Sequence, residues 1–145
     1  MLGWRTAGLT YSSPMQGLHL TADVYECQCD PHWLTDAQRL GQACRAAVVV
    51  AGLCPVGEVF HTFPATARGP GGVTATVLLA ESHLCVHTWP ETRSATLDVY
   101  VCNLGADHSQ RARQLLAQLV ALLAPTHSQF NELWRGMPTA PPHPT

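Results

Sequence analysis

Leu79-Ala80-Glu81-Ser82-His83-Leu84-Cys85-Val86-His87-Thr88-Trp89-Pro90-Glu91 decides how the rest of this chain is read. It gathers a hydroxyl, a thiol, two imidazoles, two carboxylates and an indole. The run before it, Val73 to Ala80, is apolar and β-branched, which reads as a buried strand. Polar groups at this density beside a core carry a desolvation cost unless they are satisfied or used. In an extended chain Glu81, His83, Cys85, His87 and Trp89 share one face, and Ser82 points the other way unless the backbone kinks there.

Three uses fit that stretch: a solvent-facing strand edge, a metal site made of His83, Cys85 and His87, or nucleophilic chemistry at Ser82 with an imidazole within reach. Spacing alone does not choose between them.

At 145 residues, 46% hydrophobic and 12% charged, the chain has the size of a single domain with one sizeable core. A net charge of −2 gives no footprint for nucleic acid or an anionic membrane. So light a charge fits a chain that hides part of its surface against another copy. All eight basic residues are arginine. A chain without lysine has no Schiff-base amine for pyridoxal phosphate, so amine chemistry here needs another electrophile. Met1 to Arg5 lacks the apolar segment of a secretory signal, and no run reaches membrane-spanning length. Cysteines 27, 29, 44, 54, 85 and 102 show no C-x-x-C spacing and read as reduced cytosolic thiols. Cys27-x-Cys29 is too tight for an ordinary zinc motif.

Residues 1–16 read as a loose leader, 17–136 as one domain and 137–145 as a disordered, proline-rich tail. Leu18, Leu20, Ala22 and Val24 alternate with polar residues as a first strand. Cys27 to His32 reads as a turn. Thr35-Asp36-Ala37-Gln38 reads as a capping box opened by Thr35. The helix after it carries Ala37, Leu40, Cys44, Ala47, Val48 and Ala51 on one stripe and ends at Gly52. Strands are expected over Val56 to Phe63, Val73 to Ala80, Ala95 to Cys102 and Ser128 to Arg135. A second helix, capped by Asp107 or Ser109, carries Leu115, Leu116, Leu119, Val120 and Leu123. The order β-α-β-β-β-α-β predicts an α+β, two-layer domain with an antiparallel sheet and helices on one face. The other sheet face is left polar, and a second copy is its natural cover.

Ala80-Glu81-Ser82-His83, His87-Thr88-Trp89-Pro90-Glu91 and Asp98-Val99-Tyr100-Val101-Cys102 closely resemble the short prokaryotic S-adenosylmethionine decarboxylases, from about Gly17 to Gly136. The resemblance implies a cytoplasmic lyase of polyamine (spermidine) synthesis, made as a zymogen that cuts itself at Glu81-Ser82 into residues 1–81 and 82–145. Ser82 would become a pyruvoyl group that forms a Schiff base with substrate, with no pyridoxal phosphate and no metal. It further implies His87 as the processing base, Cys102 as proton donor, and Thr74, where the family usually has serine, as a hydroxyl assisting the acyl shift. Phe63, Trp89 and Glu91 would hold the substrate S-adenosylmethionine in a homodimer. The loop from Pro64 to Gly72, Arg68 included, is longer than the family pattern and borders that site. A pyruvoyl decarboxylase of ornithine or arginine is the runner-up, with Asp23, Glu26 or Asp98 as anchor for the distal amine. A non-enzymatic metal-binding module is the third possibility.

Overall fold

Alternation of small apolar and polar residues builds a six-stranded sheet in the computed structural model, which describes residues 16–103 and 105–136. The strands are β1 (Gly17–Tyr25), β2 (Pro55–Thr62), β3 (Val73–Leu79), β4 (Ser82–Trp89), β5 (Ser94–Cys102) and β6 (His127–Arg135). They lie in the order β2-β3-β4-β5-β1-β6, every pair antiparallel. Helices α1 (His32–Thr35), α2 (Ala37–Val50) and α3 (Ser109–Leu123) complete the chain. The domain is α+β, as the sequence pattern predicts.

The predicted element order is one strand short. Ser82–Trp89, the polar motif itself, is a full strand near the middle of the sheet. Its Leu84, Val86 and Thr88 are buried while His83, Cys85, His87 and Trp89 face the other way. Period-two patterning is present, but the polar half dominates composition and hides it.

One sheet face carries Leu18, Leu20, Val24, Val77, Leu97 and Val99 into the core. There it meets Leu40, Cys44 and Val48 of α2 and Leu115, Leu119 and Leu123 of α3. Fully burying side chains of this size contributes about 1.5–3 kcal/mol each. Within the described residues, no element covers the opposite face. The leader, apart from Gln16, and the tail lie outside the described residues.

The helix start differs from expectation by one residue. Asp36, not Thr35, caps α2, its carboxylate accepting from Arg39 N at 3.1 Å. Thr35 belongs to α1, a turn of helix just ahead of α2, and its hydroxyl donates to Pro31 O at 3.1 Å. At α3 the residue preceding the helix is His108, while Asp107 Oδ1 accepts from Ser109 N at 2.8 Å.

Candidate active site

The β3–β4 hairpin pairs Leu79 with Ser82, leaving Ala80-Glu81 as a two-residue loop. Such loops favour Asn-Gly or glycine, whose positive φ matches the strand twist. Ala80-Glu81 supplies neither, and the misfit falls on Ser82, whose φ is +153°. That value belongs to glycine's territory and stores on the order of 1–3 kcal/mol. The backbone strain at this hairpin therefore lies next to the Glu81–Ser82 peptide bond. The Glu81 carbonyl oxygen accepts from Cys102 N at 2.7 Å. Glu81's carboxylate accepts from Cys54 N at 3.2 Å. The half-buried Cys102 ends β5 on the uncovered face.

Thr74, His87, Phe63, Trp89 and Glu91 form a second group. Thr74 and His87 are cross-strand partners, and Thr74 Oγ1 and His87 Nδ1 share a short hydrogen bond. A cavity of about 390 Å³ opens beside them, lined by Phe63, Arg68, Gly72, Trp89 and Glu91 among others. Phe63 and Trp89 are about half exposed, so aromatic faces are available to a ligand. The Pro64–Gly72 loop is seated by backbone contact. A Cβ at Gly71 would lie 1.9 Å from Phe63 O, and one at Gly72 2.1 Å from Thr88 O. Thr88, absent from the sequence-based site, fixes the cavity floor: its buried hydroxyl accepts from Val73 N at 2.8 Å and donates to Leu34 O at 2.7 Å. A lone threonine among core residues was the only signal for it.

The expectation that an imidazole of this motif reaches Ser82 within the chain is not met by His87. The two residues occupy opposite ends of one continuous strand. At about 3.3 Å per residue their separation is about 16 Å. Ser82, Glu81 and Cys102 gather at one end of the β4–β5 pair, and the remaining five expected residues towards the other.

Between the two groups lies a polar cluster. His19 Nε2 and His83 Nε2 stand 3.1 and 3.0 Å from the same oxygen, Asp98 Oδ2. A carboxylate only accepts, so each Nε2 carries the proton. Arg135 Nη1 donates to His19 Nδ1 at 3.4 Å, and Tyr100's ring packs 5.4 and 5.8 Å from the two imidazoles. His83, Cys85 and His87 do not form one metal centre. Cys85 Sγ pairs with Thr76 Oγ1 at 3.5 Å, and His87 with Thr74. Among the described residues the one group close enough to share an ion is His19, His83 and Asp98, and its Nε2 atoms are already hydrogen-bond donors. Asp98 accepts from both imidazoles, and Glu26 accepts from Thr126 just beyond the end of β1.

The thiols separate by environment. Burial pushes Cys44 up to about 12. Desolvation also raises Cys85, with the Thr76 hydroxyl partly offsetting it, and raises the buried Cys27 and Cys29.

A strained Glu-Ser hairpin, a thiol at its side and an imidazole–hydroxyl pair, in a chain without lysine, are the groups that a self-processing α+β lyase needs. The model of the S-adenosylmethionine decarboxylase family matches residues 18–136, and the chain belongs to that family. An S-adenosylmethionine decarboxylase proenzyme of Thermotoga petrophila is 33% identical over 133 residues, 88% of this chain and 94% of its own length. One from Thermococcus kodakarensis is 35% identical, over 83% of this chain and 77% of its own. The crystal structure of the adenosylmethionine decarboxylase from Aquifex aeolicus superposes with a TM-score of 0.73 at 29% identity, covering 91% of this chain and all of that one. The family generates its pyruvoyl group from its own chain, which implies neither pyridoxal phosphate nor metal, and the strained Ser82 beside Glu81 fits that origin. Among the described residues no helix is long and apolar enough to cross a membrane.

Proposed function

We propose that this chain cuts itself between Glu81 and Ser82 and decarboxylates S-adenosylmethionine, the step that supplies the aminopropyl donor for spermidine, in the cytoplasm. The observation that carries the reading is the +153° φ of Ser82 beside a Glu81 carbonyl held by Cys102 N.

In processing, Ser82 Oγ attacks the Glu81 carbonyl carbon and the amide nitrogen leaves, giving an ester. Negative charge develops on the Glu81 oxygen, where the Cys102 N–H already donates; a preorganised donor of this kind stabilises the transition state by several kcal/mol. An imidazole then removes the Ser82 Cα proton and the Glu81 carboxylate departs. The residual dehydroalanine takes up water and releases ammonia, leaving the pyruvoyl. That carbonyl supplies the electron sink for the carbanion left by loss of CO2, and the Cys102 thiol returns a proton to the substrate carbon. Phe63 and Trp89 present aromatic faces to the adenine and the sulfonium, and Glu91 accepts from ribose hydroxyls.

Since His87 stands about 16 Å along the strand from Ser82, the reading requires a homodimer. Two copies related by a two-fold through the open faces bring Ser82 and Cys102 of one chain to the partner's His87, Thr74, Phe63, Trp89 and Glu91. This arrangement also covers the uncovered polar face. A denaturing gel and intact mass test the first step. Two chains are expected from wild type and one from Ser82→Ala. A wild-type chain that stays whole with unmodified Ser82 refutes the proposal.

A further inference from the structure

We infer that His83, gripped by Asp98 and through it by His19, is a positioning residue that keeps position 82 aligned with Cys102 once the chain is cut. The inference rests on Ser82 becoming the pyruvoyl.

Before scission this corner is held by the covalent Ala80-Glu81 loop, the hydrogen bond from Cys102 N to Glu81 O, and the cross-strand pairing of Ser82 with Leu79 and Val101. Cutting the Glu81–Ser82 bond removes the covalent loop and turns the Cys102 N–Glu81 O bond and the Ser82–Leu79 pairing into contacts between two chains, leaving the pairing with Val101 as the one tie at position 82 within residues 82–145. Position 82 then becomes the first residue of β4, and terminal residues fray unless tied down. The first side chain inward from it is His83. Its Nε2 lies 3.0 Å from Asp98 Oδ2, on the neighbouring β5. Asp98 Oδ2 is in turn held by His19 Nε2 at 3.1 Å, on β1. Arg135 of β6 closes the chain of contacts, 3.4 Å from His19 Nδ1 and with its guanidinium 5.3 Å from the Tyr100 ring centre.

The connectivity is what gives the cluster a use. His19 belongs to residues 1–81, while His83, Asp98, Tyr100 and Arg135 belong to residues 82–145. The network therefore spans the two products of cleavage, starting from the strand that carries the reacting group at its end. Cys102 lies on the same β5 as Asp98 and Tyr100, so the same anchor sets the thiol and position 82 relative to one another. A polar patch that only satisfied itself would have no bearing on which carbon receives the proton.

That choice of carbon supplies the readout. After CO2 leaves, the electron pair is shared between the substrate carbon and the carbon at position 82. A proton delivered to the substrate carbon gives the amine product. A proton delivered to position 82, followed by addition of water, releases an aldehyde and leaves an N-terminal alanine, which ends activity. A loosened position 82 raises the second outcome.

The test uses the processed enzyme with the substitutions His83→Gln, Asp98→Asn and the two combined. All are expected to cut themselves into two chains, because the intact hairpin holds the corner before scission. His83→Gln and Asp98→Asn are each expected to lose roughly 10- to 100-fold in kcat, as displacements of about 1 Å do. KM should change by less than about twofold, because the cavity residues are untouched. Edman sequencing should find N-terminal alanine accumulating faster per turnover than in wild type. The double variant should be no worse than the poorer single one, because both break one contact. Wild-type kcat and alanine rate in both single variants overturn the inference, as do losses confined to KM or losses that multiply. Should His83→Gln fail to fold, Asp98→Asn, which keeps the side-chain shape, decides alone. Failure of the inference appears as a cleaved, fully active His83→Gln enzyme. Failure of the reading beneath it appears as an uncut wild type.

Discussion

Ser82 and His87 lie on one uninterrupted strand, five residues apart, and a single copy of the chain cannot bring them together. Each does have neighbours suited to its part: Ser82 has the Glu81 carbonyl and Cys102, His87 has Thr74 and the cavity. What is divided along one sheet becomes complete when a second sheet lies on it in the opposite sense. The prediction is complementation. Ser82→Ala and His87→Ala chains, each uncut when made alone, should yield cut His87→Ala chains when co-expressed, since half of the mixed sites contain both wild-type groups. Mass spectrometry of the pyruvoyl-bearing fragment identifies which chain was cut. Absence of cleavage in a verified mixed dimer assigns the base to another residue.

Substrate affinity and self-cleavage should separate at Trp89. Its ring lines the cavity but belongs to neither the hairpin corner nor the Thr74–His87 pair. Trp89→Ala should still give two chains on a gel while KM rises roughly tenfold, the scale of one lost aromatic contact. Glu91→Gln, which loses its charge and keeps its shape, should raise KM by less.

The scaffold was legible because its signals were local. Leu18, Leu20, Ala22 and Val24 announce a half-buried strand, and the Leu115–Leu123 stripe a helix packed on a sheet. The motif strand was hidden by its own chemistry: His83, Cys85 and His87 outweigh Leu84 and Val86 in composition, though not in burial. Family resemblance brought the site residues together as a set, but the distance between Ser82 and His87 is a property of strand rise and register. The His19–Asp98–His83 contact joins residues 79 and 15 positions apart, and no local pattern encodes it. Thr35 and Asp36 compete for the same cap, and a turn of helix ahead of it gave the place to Asp36.

Acid should loosen the outer strand first. β6 pairs only with β1 and all its residues are exposed. Glu132 on β6 takes two hydrogen bonds from Arg113 of α3, at 2.8 and 3.1 Å. Those bonds hold the Glu132 carboxyl below the ordinary glutamate value. A depressed carboxyl stabilises the fold above its unfolded value and loses that contribution as pH falls through the folded one. Wild type should therefore melt above Glu132→Gln at pH 7, with the gap closing in acid. High salt should narrow it as well, since both groups are exposed. An equal gap at every pH assigns the effect to packing.

Cys102 and Cys85 offer a paired test of the proton donor, both lying half-buried on the same sheet face. Cys102 ends β5 with its backbone N–H on the Glu81 carbonyl, a contact independent of the thiol. Cys102→Ser should therefore still cut itself. Decarboxylation should fall by roughly 100-fold or more, because general acid catalysis contributes on that scale and an alcohol is a far weaker acid than a thiol. With no acid placed at the substrate carbon, N-terminal alanine should accumulate on the smaller chain. Cys85 stands in mid-strand, its thiol raised by desolvation and paired with Thr76, a setting that makes it a poor acid. Cys85→Ser should then turn over within about twofold of wild type, since it keeps the partner and most of the volume. Turnover by Cys102→Ser at the wild-type rate moves the proton donor elsewhere. Loss of self-cleavage in Cys102→Ser would mean that the thiol, and not only the backbone N–H beside it, supports the acyl shift.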